Sequence, residues 1–95
     1  MAVKLELYRV FKEVAETGNI SIAARNLYIS QSAVSQSIKQ LETALQARLF
    51  ARSPRGVALT GEGQMLYEYV RSALSLLATG EASIMSDSAI APTPA

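Results

Sequence analysis

The sequence predicts a mainly α-helical fold in which three short helices are followed by a short β-hairpin and one long helix. Three observations lead to this prediction. Apolar residues recur at helical spacing in three segments before residue 46. A turn-forming Ser-Pro-Arg-Gly run over residues 53–56 separates two short apolar segments, and apolar residues dominate residues 65–78. A length of 95 residues leaves room for one small domain with a single core.

The first two helices are predicted to be separated by a turn at Thr17 and Gly18. The first helix is expected over residues 3–16, and its apolar face consists of Leu7, Val10, Phe11 and Val14. Gly18 favours the end of that helix, and Asn19 can cap a second, short helix. The second helix contains Ala23 and Ala24, whose small side chains allow another helix to cross closely.

The third helix is predicted to begin after its N-cap Ser30, which follows a tight connection at Tyr28 and Ile29. Its apolar stripe consists of Val34, Ile38, Leu41 and Leu45. The opposite side of the helix carries Ser32, Ser35, Gln36, Lys39 and Thr43. Two helices joined by so short a turn are typical of a helix-turn-helix unit.

A β-hairpin is predicted after the third helix. Residues 57–59 can pair with residues 50–52 around a turn at residues 53–56, with Arg55 at its tip. A hairpin in this position is called a wing. The sequence therefore predicts a winged helix-turn-helix domain over residues 1–59.

The final helix is predicted to begin at its cap Thr60 and to extend to about residue 85. Its apolar residues cover well over half of the helix circumference, whereas so small a domain can bury only one side. A second copy of the same helix is therefore expected on the other side, in a homodimer. The predicted interface residues are Leu66, Val70, Ala73, Leu74 and Leu77. The Ser/Ala/Pro-rich residues 86–95 are predicted to form a hinge or a disordered tail.

The composition argues against several classes of protein. The chain has no cysteine and no histidine, and its only aspartate is Asp87. We therefore predict no enzymatic activity, no catalytic residue, no metal site and no cofactor. The charged N-terminal segment and the lack of a long apolar run argue against a signal peptide and a membrane span, which favours a cytoplasmic protein.

The middle of the chain is basic and carries the polar face of the third helix. Residues 25–55 contain five basic residues against Glu42 alone, a net charge of +4. Uncharged amides and hydroxyls can hydrogen-bond to base edges and phosphates, and basic side chains bind phosphate. The predicted DNA-binding residues are Ser30, Gln31, Ser32, Ser35, Gln36 and Lys39 on the helix, with Arg52 and Arg55 on the wing. For Arg52, a structural ion pair is the alternative, and the helix face could also be an ordinary solvated surface.

The segments "ARNLYISQSAVSQSIKQLE" and "LFARSPRGVALTGEG", with the long helix after them, resemble the N-terminal DNA-binding domain of the LysR-type transcriptional regulators. The resemblance covers residues 3 to about 85. It implies a linker helix over residues 60–85 that dimerises, and double-stranded DNA bound at an imperfect inverted repeat. It also implies a place on the bacterial nucleoid, and a C-terminal domain, absent from this chain, that binds a small-molecule effector. A full-length parent could form a tetramer.

Three residues depart from the pattern of that family. Ser32 and Gly61 stand where proline is frequent, and Gln46 stands where glycine is common. We expect a hydroxyl donor at the start of the third helix, a less sharply turned exit from that helix, and a looser start of the linker helix.

Two other functions remain open at the level of the sequence. The apolar final helix could bind a different protein, which would make the chain a helical interaction module. The chain could also belong to another family of winged-helix regulators, with the same DNA-binding function and a different dimer.

Overall fold

The computed structural model describes residues 3–90, with side chains described as far as Ser86. It confirms the mainly α-helical winged helix-turn-helix fold. The elements, in chain order, are α1 (Leu5–Thr17), α2 (Ile20–Leu27), α3 (Gln31–Leu45), β1 (Phe50–Ser53), β2 (Gly56–Leu59) and α4 (Gly61–Ile90). Within these residues, no helix combines the length and the apolar composition needed to cross a membrane.

The three predicted helix caps are confirmed. The Asn19 side chain accepts a hydrogen bond from the Ile22 N–H at 2.9 Å, and the Ser30 hydroxyl accepts one from the Ala33 N–H at 3.0 Å. Thr60 does the same for the N–H of Gly63, also at 3.0 Å. Each cap satisfies one of the backbone donors that the first turn of a helix leaves without a partner.

The first three helices all end at a residue with left-handed backbone. These are Gly18 (φ 65°), Tyr28 (φ 59°) and Gln46 (φ 55°). The expectation of a less sharply turned exit at Gln46 is wrong, because Gln46 adopts the turn that glycine usually makes. Its N–H and that of Ala47 bond back to carbonyls of the last turn, which offsets a conformational cost of roughly 1–2 kcal/mol.

The core lies where α1, α2 and α3 meet the start of the wing. Phe11 is fully buried, and its ring lies 5.4 Å from that of Phe50 on β1. Ala23 and Ala24 are buried where α2 crosses its neighbours, as their small side chains predict. The other core residues are Val10, Val14, Val34, Ile38, Leu41, Leu49 and Val70.

The wing is a two-stranded antiparallel hairpin in the register Phe50↔Leu59 to Ser53↔Gly56. The Glu42 carboxylate on α3 fixes the base of the wing by accepting hydrogen bonds from the N–H groups of Leu49 (2.8 Å) and Phe50 (3.3 Å). Its other strand is attached to the α1–α2 turn, because the Val57 N–H donates to the Gly18 carbonyl at 3.2 Å. The wing is thus fixed to two different parts of the helical body.

Helix α4 packs along α1 through Leu66, Val70 and Leu74. The Tyr67 hydroxyl donates to the Glu16 carboxylate at 2.8 Å, and this hydrogen bond raises the pKa of Tyr67 above its usual 10.0. The helix continues past the predicted end at residue 85 to Ile90, so residues 86–90 of the predicted hinge or tail are helical. No glycine or proline interrupts residues 81–90. Residues 91–95 of the predicted tail lie outside the described residues.

Replacing Gly56 with alanine should destabilise the protein, because Gly56 has φ 129° and a Cβ there would lie 2.4 Å from the Gly18 carbonyl oxygen. We expect a loss of about 1–3 kcal/mol in the free energy of unfolding, measured by urea denaturation. The control is Gly61→Ala, where a Cβ meets nothing within 4 Å and stability should be unchanged or higher. Equal stability of Gly56→Ala and the wild type would show that the wing does not need this close approach.

Replacing Glu42 with alanine should also destabilise the fold, because it leaves two backbone donors at the base of the wing without their acceptor. The expected loss is about 1–3 kcal/mol in the same denaturation experiment. Glu42→Gln keeps an acceptor oxygen and should lose less. A glutamine variant as unstable as the alanine variant would mean that the charge matters and the hydrogen bonds do not.

Candidate nucleic-acid interface

Helix α3 presents its polar side to solvent because its apolar stripe is used by the core. Val34, Ile38 and Leu41 are buried. Around them, the described surface exposes most of the predicted polar set, namely Ser30, Gln31, Ser32, Gln36 and Lys39, while Ser35 is half-buried. The structure therefore supports the orientation of α3 on which the predicted DNA-binding face depends.

A cleft of about 390 Å³ lies between α3 and the wing, and we call it the α3–wing cleft. Its polar lining comes from both elements and consists of Ser35, Gln36, Lys39, Glu42, Arg48 and Arg52. Four residues predicted separately from the helix and from the hairpin thus share one concave surface. Arg48, one of the five basic residues between positions 25 and 55, joins them there.

Among the side chains of residues 3–86, the basic groups of the α3–wing cleft take part in no ion pair. In the part of the chain whose side chains are described, the ion pairs join Lys12 to Glu16 and Arg71 to Glu68. Arg52 takes part in neither, so its alternative role in a structural ion pair finds no support there. Unpaired, exposed cations are free to bind an anionic partner.

Arg55 lies at the turn of the wing, as predicted, and is exposed outside the α3–wing cleft. The Ser53 hydroxyl accepts a hydrogen bond from the Arg55 N–H at 3.3 Å and lies 3.5 Å from the Gly56 carbonyl, to which it donates. These bonds order the backbone of the turn. The Arg55 side chain is left to extend from the tip.

The N-terminal end of α3 carries further polar side chains from the predicted DNA-binding set. Ser30 already uses its hydroxyl oxygen as a helix cap. The Gln31 side-chain amide donates to the hydroxyl of Ser21 on α2 at 2.8 Å. Sequence reasoning missed Ser21, because a serine near the start of a helix carries no signal of which distant side chain it meets.

The surface of α4 divides into a side that faces the core and an exposed apolar side. Of the predicted interface residues, Val70 is only 5% exposed and lies in the core, and Leu66 and Leu74 are half-buried against it. Ala73 and Leu77 are exposed. Five large exposed apolar residues of the helix were not among the predicted interface residues, namely Met65, Tyr69, Leu76, Ile84 and Met85.

A shallow apolar groove of about 280 Å³ runs between α1 and α4. Leu5 and Tyr8 line it from α1, and the accessible edges of the half-buried α4 residues form the rest with Tyr69 and Ala73. The rotation of α4 about its own axis explains why some of the predicted interface residues face the core instead. Because the helix is apolar on most sides, the position of α1 decides which residues turn inwards.

Residues 5–64 match the family described as bacterial regulatory helix-turn-helix protein, lysR family. The chain is 40% identical over 83 residues to the HTH-type transcriptional regulator PerR of Escherichia coli K12, covering 87% of this chain and 28% of that protein. It is 39% identical over 87 residues to the HTH-type transcriptional regulator GltR of Bacillus subtilis 168, covering 92% and 29%. The chain thus spans less than a third of the length of these relatives.

Two solved structures of DNA-binding domains have the same fold. The BenM domain in a complex with catB site 1 DNA superposes with a TM-score of 0.84 and 31% identity, covering 95% of this chain and all of that one. The CbnR domain in a complex with DNA gives a TM-score of 0.78 and 32% identity, covering 94% and all of that chain. The family match, the relatives and these structures agree, and the chain belongs to the lysR family of bacterial regulatory helix-turn-helix proteins.

Proposed function

We propose that this chain is the DNA-binding domain of a transcription regulator and binds double-stranded DNA as a homodimer at an imperfect inverted repeat. The observation that carries the proposal is the α3–wing cleft, where amide, hydroxyl and unpaired basic side chains from two elements share one surface. The DNA complexes of the BenM and CbnR domains support it, since both have this fold. The proposed division is residues 1–59 for DNA binding and residues 60–85 for dimerisation.

Helix α3 enters the major groove in this proposal. Its exposed side offers Ser32 and Gln36 to base edges, and a glutamine amide can form two hydrogen bonds with adenine. Lys39 binds a phosphate or a guanine. The backbone N–H groups in the first turn of α3 add a phosphate site at the positive end of the helix.

The wing reaches the neighbouring minor groove. Arg55 at its tip is placed to enter that groove, whose negative potential attracts a cation. Arg52 and Arg48 lie deeper, in the α3–wing cleft, and are placed to hold phosphates along the backbone. Such contacts fix the position of the protein on DNA and carry little sequence information.

The homodimer is built on α4. The exposed apolar residues of this helix, with the groove between α1 and α4, give a second copy an apolar surface to cover. Ala73 and Leu77 from the predicted set belong to this surface together with Met65, Tyr69 and Leu76. The dimer places two copies of α3 on half-sites about one helical turn of DNA apart.

A larger protein is the natural setting for this domain, since the relatives are more than three times as long as the match. We propose that a full-length parent adds a C-terminal effector-sensing domain, which binds a small molecule and can assemble tetramers. The protein would act on the nucleoid in the bacterial cytoplasm. Its relatives are regulators, which supports a role without catalysis.

Replacing Gln36 with alanine should change the base preference at one position of each half-site. The reason is the loss of a paired amide contact, worth about 1–3 kcal/mol of discrimination. Selection of sites from a random duplex library, with wild type and variant side by side, measures the preference. An unchanged preference would remove Gln36 from the readout, and failure of the wild type to select any sequence would refute the proposed function.

Replacing Arg55 with alanine should weaken binding to all sequences alike. Because one phosphate or groove contact is lost, the slope of log affinity against log salt should fall by about one. Titrations at several salt concentrations, on selected and unrelated duplexes, measure both effects. Arg71→Ala serves as the control, since Arg71 lies on α4 and pairs with Glu68. A loss confined to the selected duplex would assign Arg55 a sequence-reading role instead.

Replacing Leu76 with glutamate should break the dimer, because Leu76 is 72% exposed on the apolar side of α4 and adds little to the core of one copy. Sedimentation equilibrium should show monomers, and affinity for a two-half-site duplex should fall by about tenfold or more. Ser75→Glu, on the polar side of the same helix, should remain dimeric. A dimeric Leu76→Glu would disprove this interface, and a wild-type monomer would favour the interaction module.

A further inference from the structure

Ser21 and Gln31 form a side-chain contact between α2 and the first residue of α3. The Gln31 Nε2 donates a hydrogen bond to the Ser21 Oγ, with the two atoms 2.8 Å apart. Both residues are exposed on the surface of the helix-turn-helix unit. They are ten positions apart in the chain, so the contact depends on the way α2 and α3 cross.

The contact leaves most of the hydrogen-bonding capacity of Gln31 unused. A side-chain amide has two N–H donors and an oxygen with two lone pairs. With one donor on Ser21, the second donor and the carbonyl oxygen remain for a base edge or a phosphate. These are the groups that a glutamine needs for a paired contact with adenine.

A glutamine side chain has three rotatable bonds and loses freedom when it is fixed against DNA. A partner that already holds the amide in the free protein reduces that loss, which increases affinity without a new contact to DNA. A recognition residue is selective only if its own orientation is held by neighbouring groups. Ser21 is placed to supply this support from outside α3.

We propose that Ser21 is a positioning residue that orients the Gln31 amide for sequence recognition. This inference rests on the proposed DNA-binding function and adds to it a second helix, α2, in the control of specificity. The competing role is a direct one, since the Ser21 hydroxyl keeps its own hydrogen and could donate it to a DNA phosphate. In the positioning role, the effect of Ser21 on DNA affinity requires Gln31. In the direct role, it does not.

The contact itself is tested in the free protein. Nitrogen-15 relaxation of the Gln31 side-chain amide should show a more mobile group in Ser21→Ala than in the wild type. Ser21→Thr keeps the hydroxyl and should restore the order of the amide. Equal mobility in all three proteins would overturn the proposal without reference to DNA binding.

The effect on recognition is tested by a double-mutant cycle with Ser21→Ala and Gln31→Ala on the selected duplex. Ser21→Ala alone should weaken binding by about three- to tenfold, leave binding to unrelated duplexes unchanged, and add no further loss in the Gln31→Ala background. Additive losses, or an equal loss on all sequences, would assign Ser21 to phosphate and overturn the proposal.

The control variant is Ser75→Ala, on the exposed polar side of α4, which should bind like the wild type. Wild-type protein that selects no sequence would refute the proposed function and this inference together. Selective wild-type protein with an unaffected Ser21→Ala variant would refute this inference alone.

Discussion

A hairpin of two four-residue strands does not hold its shape alone in water, and the wing of this protein therefore depends on what it is attached to. Three contacts provide the attachment. Phe50 packs against Phe11 in the core, the Glu42 carboxylate binds two N–H groups at the base, and the Gly18 carbonyl accepts from Val57. The positions of the wing cations relative to α3 are therefore set by the helical body.

The α1–α2 turn helps to position both the wing and the first residue of α3. Gly18 ends α1 with left-handed backbone and accepts a hydrogen bond from the wing through its carbonyl. The same carbonyl oxygen lies so close to Gly56 that a Cβ on Gly56 would be only 2.4 Å away from it. One residue later Asn19 begins α2, whose Ser21 contacts Gln31 on α3. A single four-residue segment thus contacts both elements that face DNA in the proposed function, so a shift in it would move the wing and the Gln31 contact together.

The parts of the fold that follow from near neighbours in the chain could be predicted from the sequence. The caps at Asn19, Ser30 and Thr60 and the turn at Gly18 involve partners three or four residues away, and the stripe of α3 repeats within one helix. The rest depends on distant partners. The neighbouring sequence does not indicate how α4 is rotated about its axis, with Val70 facing inwards and Leu76 outwards. Nor does it indicate that Ser21 contacts Gln31. Gln46 adopts a left-handed turn that glutamine does not favour, and backbone hydrogen bonds to the last turn of α3 stabilise it.

Glu42 shows how stability and the proposed DNA binding compete on the same surface. It is the only acidic residue between residues 25 and 55, and it lines the α3–wing cleft beside Lys39, Arg48 and Arg52. A carboxylate there repels phosphate, so charge alone would favour its absence. Its cost is limited because one carboxylate oxygen is occupied by two backbone donors, and charge-assisted hydrogen bonds are stronger than neutral ones. Without them, the wing would lose one of its three attachments, and the spacing of its cations from α3 would be less firmly fixed. The spacing between the wing cations and α3 therefore matters more than the net charge of the cleft, and the Glu42 carboxylate helps to fix that spacing.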